Sequence, residues 1–440
     1  MKPIVLWFGL VQTFRAAAED ARERWHRLGR SEQYTSVLLG IMIVGGIILR
    51  MQGIGFPPMM TFDEHYYGLT SHHLLLGVSD THDWHPPLGK LLGAIGLLMF
   101  GFNSVGWRFM YLCFGLQTMV IAFWLAREIF SNRRAGWMAA AFVAADGFFI
   151  SYSRAGLIDG MLTCLVLWSI LAVITARTTL GMIVAAVFVG AATSVKWSGA
   201  QTLVPAILAV LLFRRVGWHQ TFWFGLSPIV HLLIWTAGLY MMGHAYAPLD
   251  LWNMIAASMT NLADAGKYSN LLASSWYTWP FLYHPILVKL SYQGHIGRYS
   301  SSVGNPVFWF PATLFVVALP IARGLASLRK SWYHRWRSYF DPQFSKAVLV
   351  LATGWMSLMM LFAVSMGKHS FFYHYQPSYG FAIVLLAGLI GRAEQCWPRG
   401  VLVFVAVALI VAIYLAPVWG EFALTLKEAN RRLIFLSWRP

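Results

Sequence analysis

Apolar runs separated by short polar turns recur along the whole chain. They fall at 35–50, 107–126, 135–151, 157–176, 180–194, 199–213, 221–241, 306–322, 346–366, 371–391 and 400–417. A helix rises 1.5 Å per residue, so runs of this length cross, or nearly cross, a hydrocarbon core of about 30 Å. The pattern predicts an all-α polytopic membrane protein with about eleven transmembrane helices. A further run, LLGAIGLLMFG at 91–101, is too short to span comfortably and is read as lying along the membrane surface.

Loop charge supports that reading. With 91–101 outside the membrane, Arg127, Arg133, Arg134, Arg177, Arg214, Arg215, Arg323, Arg329, Lys330, Arg335, Arg337, Lys346, Arg392 and Arg399 all fall on the cytoplasmic side. Two substantial external loops result. The first, 51–106, carries interfacial helices; the second, 242–305, is rich in Trp, Tyr, Asn, Ser and Gly. Residues 1–34 read as a cytoplasmic amphipathic segment, 35–417 as the transmembrane catalytic domain, and 418–440 as an external amphipathic segment on the membrane.

Composition agrees with the pattern. Of 440 residues, 58% are hydrophobic and 11% charged, too few charges to cover a soluble protein of this size. The net charge of +16 lies in short loops, which points to anionic lipid and excludes nucleic acid as the reading. Cys113, Cys164 and Cys396 form no disulfide framework or zinc motif. No phosphate-binding glycine loop and no DxD pair is present, so a nucleotide-driven enzyme is unsupported.

Candidate chemistry gathers on the external side. In TFDEHYYG (61–68), Asp63 and Glu64 stand side by side in a chain with 17 acidic residues. Asp146 and Asp159 lie in or beside apolar spans, where a carboxylate needs a partner; for Asp146 a structural salt bridge with Arg154 outweighs direct chemistry. Arg50, Arg108, Arg154 and Lys196 end or begin four separate spans at the same face. Snorkelling explains any one of them, and four together suggest an anionic headgroup, phosphate above all. HPPLGK (85–90) is a proline-stiffened turn carrying His85 and Lys90. Its neighbours His65, His72, His73 and His82 and the acids Asp80 and Asp83 match no standard metal spacing, so no metal is predicted, although a divalent ion is an alternative. SSWYTWPFLYHP (274–285), with Trp276 and Trp279, is an aromatic loop suited to an interfacial belt or to sugars and polyprenyl chains.

Taken in order, these motifs resemble one family, the protein O-mannosyltransferases, which are glycosyltransferases of the GT-C class. The resemblance runs from Arg50 and FDEHYYG through HPPLGK, GWRF around Arg108, ADGFFISYSRAGLID (145–159), SVKWSG (194–199) and SSWYTWPFLYHP to GNPVFWF (304–310) and FFYHYQP (371–377), which holds His374 and Tyr375. It implies a GT-C fold and inverting transfer of mannose from a polyprenyl or dolichyl phosphate to Ser or Thr of a protein acceptor. It also implies Asp63 as base, Glu64 as its catalytic neighbour, and Arg50 and Arg108 as family arginines. Arg154, Lys196, His85, Lys90, Asp159, Trp276, Trp279, His374 and Tyr375 complete the expected donor and substrate contacts. The lipid-linked sugar is a substrate, and no cofactor is required.

The second loop has only about sixty residues, without the MIR domain typical of eukaryotic members, so the chain looks like a compact bacterial member in the cytoplasmic membrane with its site facing outward. DEHYYG also differs from the DEVHFG-like eukaryotic form. Two other readings compete: a related transferase acting on a lipid or glycan, and a transporter or flippase. Polar residues collected at one face favour surface chemistry over transport.

Overall fold

A computed structural model describes residues 25–78, 85–241, 272–328, 340–364 and 370–439, with isolated positions at 19, 22–23, 253, 255–257 and 334. Asp80, His82 and Asp83, and most of the N-terminal segment, lie outside the described residues.

Each apolar run becomes helix. In chain order these are α1 (Arg30–Met51), α2 (Glu64–Leu76), α3 (Leu88–Phe100), α4 (Gly106–Phe130), α5 (Arg133–Ala144), α6 (Gly147–Ser153), α7 (Ile158–Thr175) and α8 (Thr179–Val195). There follow α9 (Leu203–Phe213), the nearly continuous α10 (Trp218–Met241), α11 (Pro306–Ser327), α12 (Pro342–Val364), α13 (Gln376–Cys396), α14 (Pro398–Trp419) and the short α15 (Leu426–Arg432). Seven of them are long and apolar enough to cross a membrane, or eight if α5 and α6 form one span; α3, α8 and the stretch Trp197–Phe213 are shorter apolar helices. The helix at α3 is thus too short to span a full bilayer core unaided.

Three departures from the pattern have local causes. The run at 135–151 is broken and bent by 63° between α5 and α6. Asp146 sits at the break as the N-cap of α6, its carboxylate accepting from Phe148 N–H at 2.9 Å. The run expected from 371 starts its α-helix only at Gln376, because Pro377 belongs in a first turn; FFYHY before it forms a 3₁₀ turn, Phe372–Tyr375. A small sheet was not foreseen. β1 (Leu287–Gln293) and β2 (Ile296–Ser301) form a hairpin through Gly294, whose φ of 60° suits a two-residue turn. β3 (Ala423–Thr425) from the C-terminal segment pairs antiparallel with β2.

The core runs along α7 and α13, which are apolar on nearly every side, as fits helices ringed by other helices. Around them pack α4, α5, α8, α9, α11 and α12. α1 lies against α5 and α14. Gly46 lets α1 approach Ala144 at the end of α5, since a side chain there would collide with that residue's backbone. The close approach brings Arg50 onto the carbonyls at the α5 C-terminus. Asp63, Asp159, Lys196, His85 and Lys90 collect at one end of the bundle, beside the Phe372–Tyr375 turn.

Candidate active site

The site is built around the turn that enters α2. Phe62 adopts a left-handed backbone, φ 52°, unusual for a bulky residue, and packs edge-on against Tyr373 with ring centroids 6.0 Å apart. Asp63 follows at the N-cap of α2. An Asp there normally caps the helix with its side chain, but this one makes no capping hydrogen bond, so its carboxylate is not spent on the helix.

Its surroundings contain a cation, a second acid and several phenols. Lys196 Nζ donates to Asp159 Oδ1 at 2.8 Å and lies 4.9 Å from the centre of the Tyr373 ring. Burial pushes the Asp63 carboxyl up to about 6. Lys196 pulls it down, Asp159 pushes it further up, and the Tyr373 hydroxyl pulls it down. Tyr67 stacks on His85 at 6.3 Å. Burial, then the charges of Lys196 and Lys90, hold His85 well below the usual imidazole range, so it is neutral. His374 is neutral for the same reasons: burial first, then Lys196 and His85. It stacks on Phe362 at 4.6 Å and its Nδ1 accepts from Phe371 N–H. Asp63, Lys196, Asp159, His85, Lys90 and His374 are therefore brought together as the sequence suggested.

Glu64 has a different environment. It is fully buried and holds Arg108 in a two-pronged pair, Nε to Oε1 at 2.7 Å and Nη2 to Oε2 at 2.8 Å. Gly156 N–H and Thr61 N–H each donate to it at 2.9 Å. Burial alone would raise its pKa, but Arg108, Lys289 and Gly156 hold it below the usual carboxylate range.

The arginines expected to meet phosphate are engaged within the protein. Arg108 uses its remaining donors on Ile54 O at 3.1 Å, Pro57 O at 2.9 Å and Met59 O at 3.1 Å, so every N–H is engaged within the protein. Arg50 donates to Gly46, Ala144 and Val143 carbonyls at 2.7–3.0 Å. That is a cation at a helix C-terminus, a favourable place for it. Arg154 donates to the carbonyls of Leu49 and Gln52 and pairs with Glu421 at 3.3 Å. The salt bridge expected from sequence between Asp146 and Arg154 is not formed; Asp146 instead accepts from Asn305 N–H at 2.8 Å and Tyr379 at 3.0 Å as well as from Phe148.

The aromatic expectations divide too. Trp276 is half-buried against Tyr277. Trp279 is fully buried, its Nε1 on Ser274 Oγ at 2.9 Å, and Tyr375 accepts from Trp355 Nε1 at 2.9 Å in the core. Both shape the fold beneath the site. Two phenols beside Asp63, Tyr67 and Tyr373, are additions to the residues named from the sequence, and so is Lys289 in the neighbouring charge cluster. Lys289 Nζ meets Glu421 at 3.2 Å and Phe56 O at 3.3 Å. Burial draws its pKa down to about 8 against the pull of Glu421. Among the described residues, no three His, Cys, Asp or Glu side chains come together to hold a metal.

Two adjoining family models match this chain. One, the C-terminal four-helix region of protein-O-mannosyltransferase, covers residues 249–438. The other, dolichyl-phosphate-mannose-protein mannosyltransferase, covers residues 84–241. The chain belongs to the protein O-mannosyltransferase family. Curated relatives called polyprenol-phosphate-mannose–protein mannosyltransferase, from Mycolicibacterium smegmatis and Mycobacterium tuberculosis, are each 24% identical over 86% of this chain; the match covers 87% and 86% of theirs. Among solved structures, the Saccharomyces cerevisiae protein O-mannosyltransferase Pmt1–Pmt2 complex bound to its sugar donor aligns with a TM-score of 0.75. That alignment covers 94% of this chain and 93% of the yeast chain at 13% identity, a shared GT-C fold.

Proposed function

We propose that this protein O-mannosyltransferase family member moves mannose from a polyprenyl phosphate to a Ser or Thr hydroxyl of a protein at the external membrane face, with Asp63 as general base. The reading rests chiefly on one observation: among the described residues, no ion pair holds the Asp63 carboxylate, while Asp146, also outside any ion pair, is taken up by hydrogen bonds from Phe148, Asn305 and Tyr379. Glu64 is saturated by Arg108, Asp159 pairs with Lys196, and Glu421 balances Arg154 and Lys289.

The chemistry follows. The acceptor oxygen attacks the mannose anomeric carbon as its proton passes to the Asp63 carboxylate. The bond from that carbon to the phosphate oxygen breaks on the opposite side, giving inversion, and its electron pair leaves on polyprenyl phosphate. A phosphate leaving group needs charge stabilisation rather than a general acid, and Lys196, whose ammonium is bound on one side by Asp159, supplies it. Arg108 and Arg154 act as positioning residues for the backbone before Asp63, and Arg50 ties the end of α1 to the end of α5. The neutral His85 and His374 and the phenols of Tyr67 and Tyr373 offer hydrogen bonds to sugar hydroxyls. A base with its pKa near 6 is largely ionised at neutral pH and still basic enough to assist.

The test incubates purified protein with polyprenyl-phosphate mannose and a Ser/Thr-rich peptide, and detects glycopeptide by mass spectrometry. The reading predicts mannosyl peptide with wild type and none above background with Asp63→Asn. Transfer to lipid alone would overturn the acceptor assignment, and full activity of Asp63→Asn would overturn the base.

A further inference from the structure

The segment after α14 reaches back into the site through one acid. Glu421 lies between Gly420 and Phe422 with φ 60°, left-handed backbone that a glutamate adopts only where its surroundings impose it. Those surroundings are identifiable. Gln52 Nε2 donates to Gly420 O at 3.3 Å, and Arg298 Nη1 donates to Glu421 O at 3.2 Å. β3 pairs with β2, and Trp438 Nε1 donates to Leu282 O at 2.8 Å.

So held, Glu421 Oε1 meets Arg154 Nε at 3.3 Å and Lys289 Nζ at 3.2 Å, all three side chains at most 4% exposed. Each cation grips the same stretch of backbone. Arg154 takes the carbonyls of Leu49 and Gln52, Lys289 takes Phe56, and Arg108 takes Ile54, Pro57 and Met59. That stretch, 49–59, runs directly into Phe62 and Asp63. Arg108 is balanced by Glu64; Arg154 and Lys289 share Glu421 as their anion.

We propose that Glu421 is a positioning residue for the transfer reaction, fixing the 49–59 backbone and hence the Asp63 carboxylate through Arg154 and Lys289. The C-terminal segment is then part of the catalytic apparatus. This inference rests on the reading of Asp63 as base. The triad carries two positive charges and one negative. Glu421→Gln leaves two uncompensated cations side by side in a buried space, where each repels the other and loosens its hold on the carbonyls. Lys289→Met leaves a balanced Arg154–Glu421 pair. Combining the two returns the triad to a single net positive charge, its original value, so the second change offsets the first.

The experiment uses the full chain in lipid nanodiscs, as wild type, Glu421→Gln, Lys289→Met and the double variant. Steady-state transfer to peptide is read together with hydrogen exchange of peptides covering 49–62 and with the thermal midpoint. For Glu421→Gln the expected results are a loss of kcat of about tenfold or more, a donor KM within about twofold, and about tenfold faster exchange confined to 49–62. The double variant recovers most of both. Wild-type kcat and exchange in Glu421→Gln overturn the inference. So does a double variant worse than Glu421→Gln, and so does exchange rising throughout the bundle together with a collapsed midpoint, the signature of a purely structural role. Transfer retained by Asp63→Asn is instead a failure of the base assignment, and the exchange readout still reports on Glu421 independently.

Discussion

Two groups of charges lie next to each other at one end of the bundle, and they are organised in opposite ways. In the first, Arg50, Arg108, Arg154, Lys289, Glu64 and Glu421 are buried and bound to one another or to backbone carbonyls. In the second, Asp63, Lys196 and Asp159 sit among neutral histidines and phenols, and Asp63 is bound to no cation. Adjacent carboxylates, Asp63 and Glu64, fall into different groups because α2 begins between them. The N-cap side chain makes no bond to the helix and has Lys196, Asp159 and Tyr373 as neighbours, while the next residue turns onto Arg108. A charged cluster in an apolar protein is thus not automatically a binding site. What marks the site is a carboxylate held by no cation, with a tyrosine hydroxyl as its hydrogen-bond partner, next to charges that are paired.

The comparison can be broken first at Asp63. Asp63→Asn should lower the transfer rate by about 10²–10⁴-fold, the usual contribution of a positioned base, in the glycopeptide assay. Next comes Lys196→Met, expected to cost about 10²–10³-fold in kcat/KM through lost stabilisation of the leaving phosphate. Lys196→Arg should recover part of that loss, because it keeps the charge. Glu64→Gln addresses the first group. Removing one member of a buried pair costs about 3–5 kcal/mol. It should therefore lower the thermal midpoint of the folded protein by several degrees, whereas Asp63→Asn, which removes a charge disfavoured by burial, should not lower it. The smallest effect is the pH dependence. Asp63 acts as base only when ionised, so kcat/KM should fall about tenfold per unit as pH drops below about 6 and level off above it. A flat profile between pH 5 and 8 would contradict this.

Much of the fold was legible because a helix in lipid must satisfy its own backbone, leaving long apolar runs as its trace. The break at Asp146 was hidden because ADGFF is nearly as apolar as a continuous span; only a capping acid with two further donors, Asn305 and Tyr379, reveals it. The sheet escaped notice because its third strand comes from a distant segment. Lys289 escaped for a related reason. A register shift between Leu287 and Lys289 buries both Val288 and Lys289, where strict alternation would have sent one of them outward. In FFYHYQP the residue types were right, but a 3₁₀ turn decides which faces the site. It gives Tyr373 to Asp63 and sends Tyr375 into the core. The arginines were seen correctly as converging, and they converge on carbonyls.

The most direct test of this division is a paired measurement on Asp63→Asn and Glu64→Gln, each monodisperse in nanodiscs, recording peptide mannosylation and thermal midpoint on the same samples. The account predicts that Asp63→Asn loses transfer while keeping the wild-type midpoint, and that Glu64→Gln loses midpoint. Mannosylation by Asp63→Asn at the wild-type rate, or a Glu64→Gln protein as stable as wild type, would contradict it.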